Sequence, residues 1–256
     1  MTIALATVRT AFLEAWSNRR GFWFQVAIMM ANDVAWVAFW VLFFREVGTL
    51  RGWDTHQVLL LFAILCTCSG VSLGLLANAR RIGELVAGGG LDAALALPTD
   101  PLAYLLTRRV DTALLGDFAF GPVLFIAAGD PTPERAAVFV FGVLCGSVVL
   151  TSFMVALGSL TLFAGGRGEQ ADLGFQAILI FASYPIDVFG GLTKLVLFTA
   201  VPAAFVTGLP TRLVTSFTWP EAVAAVAAAA FFALVAVATF NLGLRRYSSG
   251  ALWTRA

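Results

Sequence analysis

Asp33 and Asp117 each interrupt an otherwise apolar stretch of this 256-residue chain, and their chemistry is the first thing to explain. A carboxyl group inside a run long enough to cross a membrane is costly to place there, which makes it a functional candidate. Asn32 adjoins the first acid, and Arg109 and Asp111 precede the second. These residue types fit a hydrogen bond to a neighbouring helix, the lining of an aqueous vestibule, or a proton relay. The spacing leaves all three open.

Other reactive residue types exclude more than they propose. Gly70-Val71-Ser72-Leu73-Gly74 has the spacing of a nucleophile elbow, but that turn needs a strand before it and a histidine base. The only histidine is His56, in a short polar connection. Cys66-Thr67-Cys68 lacks the spacing and partners of a metal or redox pair; with Cys145, these thiols lie in apolar runs as small hydrophobes. Neither a metal site nor a catalytic residue is expected. Gly190-Gly191-Leu192-Thr193-Lys194 falls short of a phosphate-binding loop, and none occurs elsewhere. Any nucleotide hydrolysis must therefore come from another chain, and no cofactor is expected on this one.

The elements that position these residues are membrane helices. The chain is 60% apolar and 12% charged, against roughly 45–50% and about 25% for soluble domains. A helix needs about 20 apolar residues to cross the hydrocarbon. The runs predict an all-α membrane protein with six transmembrane helices, at about 22–44, 58–77, 112–128, 136–164, 173–189 and 222–244. The stretch at 192–206 is too short to cross, and it reads as the core of a re-entrant outer hairpin over 190–212. At the N-terminus, Leu5, Val8, Phe12 and Trp16 recur at helical spacing, which predicts an interfacial helix over 3–18. Arg9, Glu14, Arg19 and Arg20 break any signal-peptide core.

With both termini inside, eleven basic residues (Arg9, Arg19, Arg20, Arg80, Arg81, Arg108, Arg109, Arg167, Arg245, Arg246 and Arg255) fall on the cytoplasmic side. Five (Arg45, Arg51, Arg135, Lys194 and Arg212) fall outside. A seventh crossing would send Arg245 and Arg246 outside and weaken that bias. Asp187 and Lys194 read as a solvated interfacial pair, and Gly142 and Gly146 as a small-residue face for close helix packing.

The connection at 79–104 is the longest cytoplasmic loop. Arg80 and Arg81 mark the membrane exit, Gly88-Gly89-Gly90 breaks the helix, and Leu91–Leu97 forms a short helix stopped by Pro98. Leu91, Ala94 and Leu95 would share one face, with Asp92 pointing away. Such a helix outside the membrane fits either a groove on a partner protein or the lipid headgroups.

Two stretches resemble the permease subunits of bacterial type 2 ATP-binding cassette (ABC) exporters. One runs from Arg81-Ile82-Gly83-Glu84 through Gly90-Leu91-Asp92, Leu95, Leu97-Pro98 and Pro101-Leu102. It is similar to that family's basic helix end, glycine-leucine-aspartate step and leucine-rich helix closed by proline. The other is Tyr184-Pro185-Ile186-Asp187-Val188-Phe189-Gly190 with Phe198–Phe205 and Leu209-Pro210, which resembles the fifth helix and outer hairpin of a bacterial subgroup.

The resemblance implies a coupling helix bearing Glu84, Leu91, Asp92, Leu95, Leu97 and Pro98, seated in a cytosolic ATPase. Two ATPase copies would hold the ATP and Mg, and a second permease chain, identical or related, would complete the path. Asn32, Asp33, Asp117, Tyr184 and Phe189 would lie near that path. The resemblance further implies a bacterial plasma (inner) membrane protein exporting cargo by ATP hydrolysis on a partner. The apolar path favours an amphipathic, lipidic or drug-like cargo; membrane lipids are expected partners, and nucleic acid is not. An ion-gradient-driven secondary transporter or channel of six helices is the competing reading.

Overall fold

The computed structural model describes residues 3–164 and 169–247. Among the described residues the chain is helical, and the pairing of Leu50 with Trp53 is an isolated bridge. Arg167 and Arg255, two of the eleven basic residues assigned to the inner side, lie outside the described residues, as does the side chain of Leu5.

Helix α1 (Ile3–Ser17) turns at Asn18, whose side chain caps α2 (Arg19–Val47) by accepting from the Gly21 amide. The corner is aromatic: Trp16 meets Phe22 at 5.1 Å and Trp23 at 5.9 Å between ring centroids. Helix α3 (Thr55–Ser69) opens on a reciprocal capping box between Asp54 and Gln57 and continues through a π-helical turn, Gly70–Leu75. Three short helices follow: α4 (Ile82–Ala87), α5 (Gly90–Leu95) and α6 (Pro101–Thr107). Then come α7 (Leu114–Ala128), α8 (Pro133–Ser159), α9 (Thr161–Ala164) and α10 (Glu169–Ala182). The chain ends in α11 (Gly191–Thr199), a π-helical turn at Ala204–Gly208, α12 (Leu209–Thr215) and α13 (Trp219–Leu244).

Among the described residues, four helical stretches are long and apolar enough to cross a membrane: Arg19–Val47, Thr55–Leu75, Pro133–Phe163 and Trp219–Leu244. Counting the bent pair α11 and α12 as one span raises the number to five. The expected third and fifth spans are shorter than drawn. Helix α7 has 15 residues, about 22 Å at 1.5 Å per residue, against a hydrocarbon core of about 30 Å. The expected span at 173–189 stops at Ala182. Pro185 is the cause: it lacks an amide donor and disfavours helical backbone in Tyr184 before it.

Helix α3 is the hub, with 83% of its apolar window buried against 17% for α2. Small residues set that packing. A Cβ on Gly146 would lie 2.6 Å from the Val206 carbonyl oxygen, and one on Gly142 would lie 2.9 Å from the Pro210 Cβ. The Gly142/Gly146 face of α8 thus receives the bent pair of its own chain. Gly70 and Gly121 play the same part between α3 and α7, against Phe118 and Thr67.

The bent pair kinks by 76°. Lys194 in the first turn of α11 and Arg212 near the end of α12 both reach the carboxylate of Asp187, at 2.8 and 2.7 Å. The two arms therefore start and finish at one place. The charged residues gather at two ends of the bundle. At one, Arg80 just before α4 bonds Asp172 of α10 at 3.0 Å, and Arg246 beyond α13 lies over Phe163 at 5.4 Å. At the other, Arg51, Lys194 and Arg212 surround Asp187.

Candidate functional site

Asp33 and Asp117 occupy the inward stripes of their helices. On α2 the buried residues are Phe22, Val26, Asp33, Trp40 and Phe44; on α7 they include Gly116, Asp117, Phe120, Gly121, Leu124 and Phe125. Both sets follow helical spacing, so each acid stands where an apolar residue would face the core. Gly116 supplies the closeness, since a Cβ there would lie 3.1 Å from the Val26 carbonyl oxygen and 3.2 Å from the Met29 Cβ. In consequence the Asp33 and Asp117 side chains meet, with the Asn32 amide against Asp33. Asp33 is 2% exposed and Asp117 5%.

Ionised carboxylates only accept hydrogen bonds, so a bond between the two requires a proton on one of them. Oδ2 of Asp33 and Oδ1 of Asp117 are buried without a partner among the described residues. The pair can hold a proton, or present two free acceptor atoms to a donor between α2 and α7.

Asn32, Asp33 and Asp117 thus come together; Tyr184 and Phe189 sit elsewhere. Tyr184 packs edge-on against Trp40, two turns along α2 from Asp33, at 5.5 Å. Phe189 packs on Phe181 at 5.4 Å.

The 79–104 connection is a folded platform rather than a loop with one helix. Leaving α3, Asn78 is buried and donates to the Leu105 carbonyl of α6 at 2.8 Å. Ala79, Ile82, Leu91, Ala94 and Leu105 are fully buried and join the main core. Gly89 alone of the three glycines takes a left-handed conformation, φ +71°, and makes the corner between α4 and α5; Gly90 already begins α5.

The face expected to unite Leu91, Ala94 and Leu95 is divided. Leu91 and Ala94 anchor α5 to the chain's own core, whereas Leu95 is 44% and Leu97 39% exposed. A helix of six residues ends before its stripe can continue, and Leu95 projects from its last turn. Ala93, Ala96 and Pro98 are exposed beside them. Asp92 is half-buried near the Gly89 corner. Glu84 is exposed and pairs with Arg81 at 2.9 Å. Between this platform, α1 and the start of α7 opens a cavity of about 1030 Å³ lined partly by Glu14, Arg81, Arg108, Arg109 and Asp111.

At the opposite end, Asp187 is the most heavily coordinated side chain described. It accepts from Lys194 Nζ at 2.8 Å, from Arg212 Nη2 at 2.7–2.8 Å and from Trp53 Nε1 at 3.1 Å. Arg51 donates to its backbone carbonyl at 3.3 Å. Burial pushes the Asp187 carboxyl up, but the bonds from Lys194, Arg212 and Trp53 outweigh it and hold the pKa at about 2. The sequence reading anticipated Lys194. It missed Arg212 and Trp53, which are remote in sequence and carry no local signal.

The nucleophile-elbow spacing at Gly70–Gly74 has a structural explanation. Ser72 is fully buried in the π-helical turn of α3 and donates to the Ser147 carbonyl of α8 at 3.0 Å. Cys66, Cys68 and Cys145 are free thiols.

Compared with known proteins, residues 30–251 match a family model described as ABC-2 family transporter protein. No curated protein and no solved structure matches the chain.

Proposed function

Because this chain belongs to the ABC-2 transporter family and is a membrane permease of that kind, we propose that it is the transmembrane half of an ATP-driven exporter, with ATP hydrolysis on a separate cytosolic chain. The observation that carries the reading is the exposed apolar tip Leu95-Ala96-Leu97-Pro98 on a platform whose Leu91 is fully buried and whose Leu85 and Leu102 are partly buried. An apolar tip held rigidly outside the membrane fits a groove on a partner protein better than open water. Force applied to the tip reaches α3 through Asn78 and α8 through Ile82, which packs against Gly158.

In this reading α2, α3, α7, α8, α10 and α13 are six crossings, and α11 with α12 is a re-entrant hairpin. Its two arms, both ending on Asp187, support that layout. The basic end, with α1 and the platform, faces the cytoplasm, so both termini are cytoplasmic in a bacterial inner membrane. Two ATPase copies carrying ATP and Mg would serve two permease chains, identical or related. The cargo is amphipathic, lipidic or drug-like, and Asn32, Asp33 and Asp117 lie on or beside its path, with Tyr184 further along.

The test is co-expression with the cognate ATPase. A stable complex with vanadate-sensitive ATP hydrolysis supports the reading. Purification without an ATPase, together with transport driven by an ion gradient in ATP-free vesicles, overturns it. The buried acid pair favours the second of these outcomes as the alternative, because a shared proton is a natural ion-coupling element.

A further inference from the structure

The cavity at the Asp187 end has a volume of about 300 Å³ and is lined in part by Arg51, Gly52, Trp53, Asp187, Arg212 and Ser216. That volume lies at the lower edge of the range for small-molecule sites, about 300–1,000 Å³. Its charge is unbalanced. Three cations, Arg51, Lys194 and Arg212, surround one carboxylate, Asp187. Three cations on one carboxylate leave a surplus of positive charge, and both guanidinium groups, Arg212 while paired with Asp187, line the cavity. Among the described residues, Arg51 bonds only a backbone carbonyl through Nη1, and Arg212 uses only Nη2.

Arg51 is also held in an unfavourable backbone conformation. Leu50 and Trp53 exchange both backbone hydrogen bonds across Arg51 and Gly52, at 2.9 and 3.0 Å, and Arg51 takes φ +50°. A non-glycine residue is uncommon in this region, and such outliers cluster at ligand clamps. The tight turn presents the guanidinium at its tip. Phe217 and Trp219, 46% and 75% exposed, stand just beyond Ser216. Exposed aromatic rings of this kind mark the membrane–water interface, where lipid headgroups lie.

We propose that this cavity binds a phosphate-class oxyanion, either a lipid headgroup phosphate or free phosphate, between the Arg51 and Arg212 guanidinium groups. Arginine forks match phosphate oxygens in pairs, and each charge-assisted bond is about twice as strong as a neutral one. The site stands on this chain's own residues and does not depend on an ATPase partner.

The test uses the full chain purified in a neutral detergent. It is titrated separately with short-chain phosphatidylglycerol, phosphatidylcholine and inorganic phosphate, with affinity read by native mass spectrometry and calorimetry. Arg51→Asn removes the charge while keeping a residue that tolerates positive φ. Phosphatidylglycerol is expected to bind at least tenfold more tightly than phosphatidylcholine, to weaken with rising salt, and to lose about tenfold in Arg51→Asn with unfolding unchanged. Binding of phosphatidylglycerol alone assigns the site to a headgroup; equal binding of inorganic phosphate assigns it to a free oxyanion. Affinity that is independent of headgroup charge and salt in the wild type, or unchanged in a folded Arg51→Asn chain, overturns the proposal.

Discussion

Leu91 and Leu95 differ by one helical turn and have opposite environments. Leu91 is fully buried in the chain's core, and Leu95 is 44% exposed at the tip of the platform. Truncating a buried leucine to alanine costs about 2–5 kcal/mol through lost transfer energy and the cavity left behind. The platform lies outside the membrane spans, so the water-based figure applies to it. Leu91→Ala should therefore lower the unfolding free energy of the isolated permease by that amount. Leu95→Asp and Leu97→Asp, at exposed positions, should shift stability by less than about 0.5 kcal/mol.

On the proposed docking, their effect belongs at the partner. A charge forced into a docking groove removes an anchor worth about 2 kcal/mol or more, roughly thirtyfold in affinity. The assay pairs unfolding of the purified chain with co-purification of the cognate ATPase and its stimulated ATP hydrolysis. Leu91→Ala should fail in the first measurement, and Leu95→Asp with Leu97→Asp only in the second. Full ATPase recovery and stimulation in the Leu95→Asp, Leu97→Asp chain would refute the docking argument.

Three further outcomes follow from the geometry. Asp187 gains stability from being ionised in the fold, so its contribution is present above its ordinary pKa of 3.8 and lost as pH falls through about 2. Asp187→Asn should cost about 2 kcal/mol at pH 7, with the gap to wild type closing from pH 4 towards 2 in chemical unfolding. Asp33→Ala or Asp117→Ala leaves a buried carboxyl without its neighbour and should each cost about 1–3 kcal/mol. Removing both should cost less than the sum in a double-mutant cycle. Gly146→Val places a side chain against the Val206 carbonyl and should destabilise by about 1–3 kcal/mol, while Val140→Leu on the exposed face of α8 leaves unfolding unchanged.

How much of this was readable beforehand depends on the range of the forces involved. The helices α2, α3, α8 and α13 follow from apolar run length, because hydrocarbon thickness acts on each segment alone. The ends of α7 and α10 do not, since Pro185 and the caps act at single residues inside a hydropathy average. The acids Asp33 and Asp117 were identifiable as costly, and helical spacing with Phe22, Val26, Trp40 and Phe44 already marks the stripe that carries Asp33. That they meet depends on Gly116 against Val26, a contact between distant segments. The division of Leu91 from Leu95 was hidden because α5 is too short for periodicity to decide which side is buried. The Arg212 and Trp53 bonds to Asp187 span 25 and 134 residues, beyond any local pattern.

The most direct test of the central claim places a photo-crosslinking amino acid at position 97 of the full chain, co-expressed with its cognate ATPase. A crosslinked product containing the ATPase is expected from position 97, and none from the buried position 91. A position 97 that captures only lipid, while the ATPase is present and active, would contradict it.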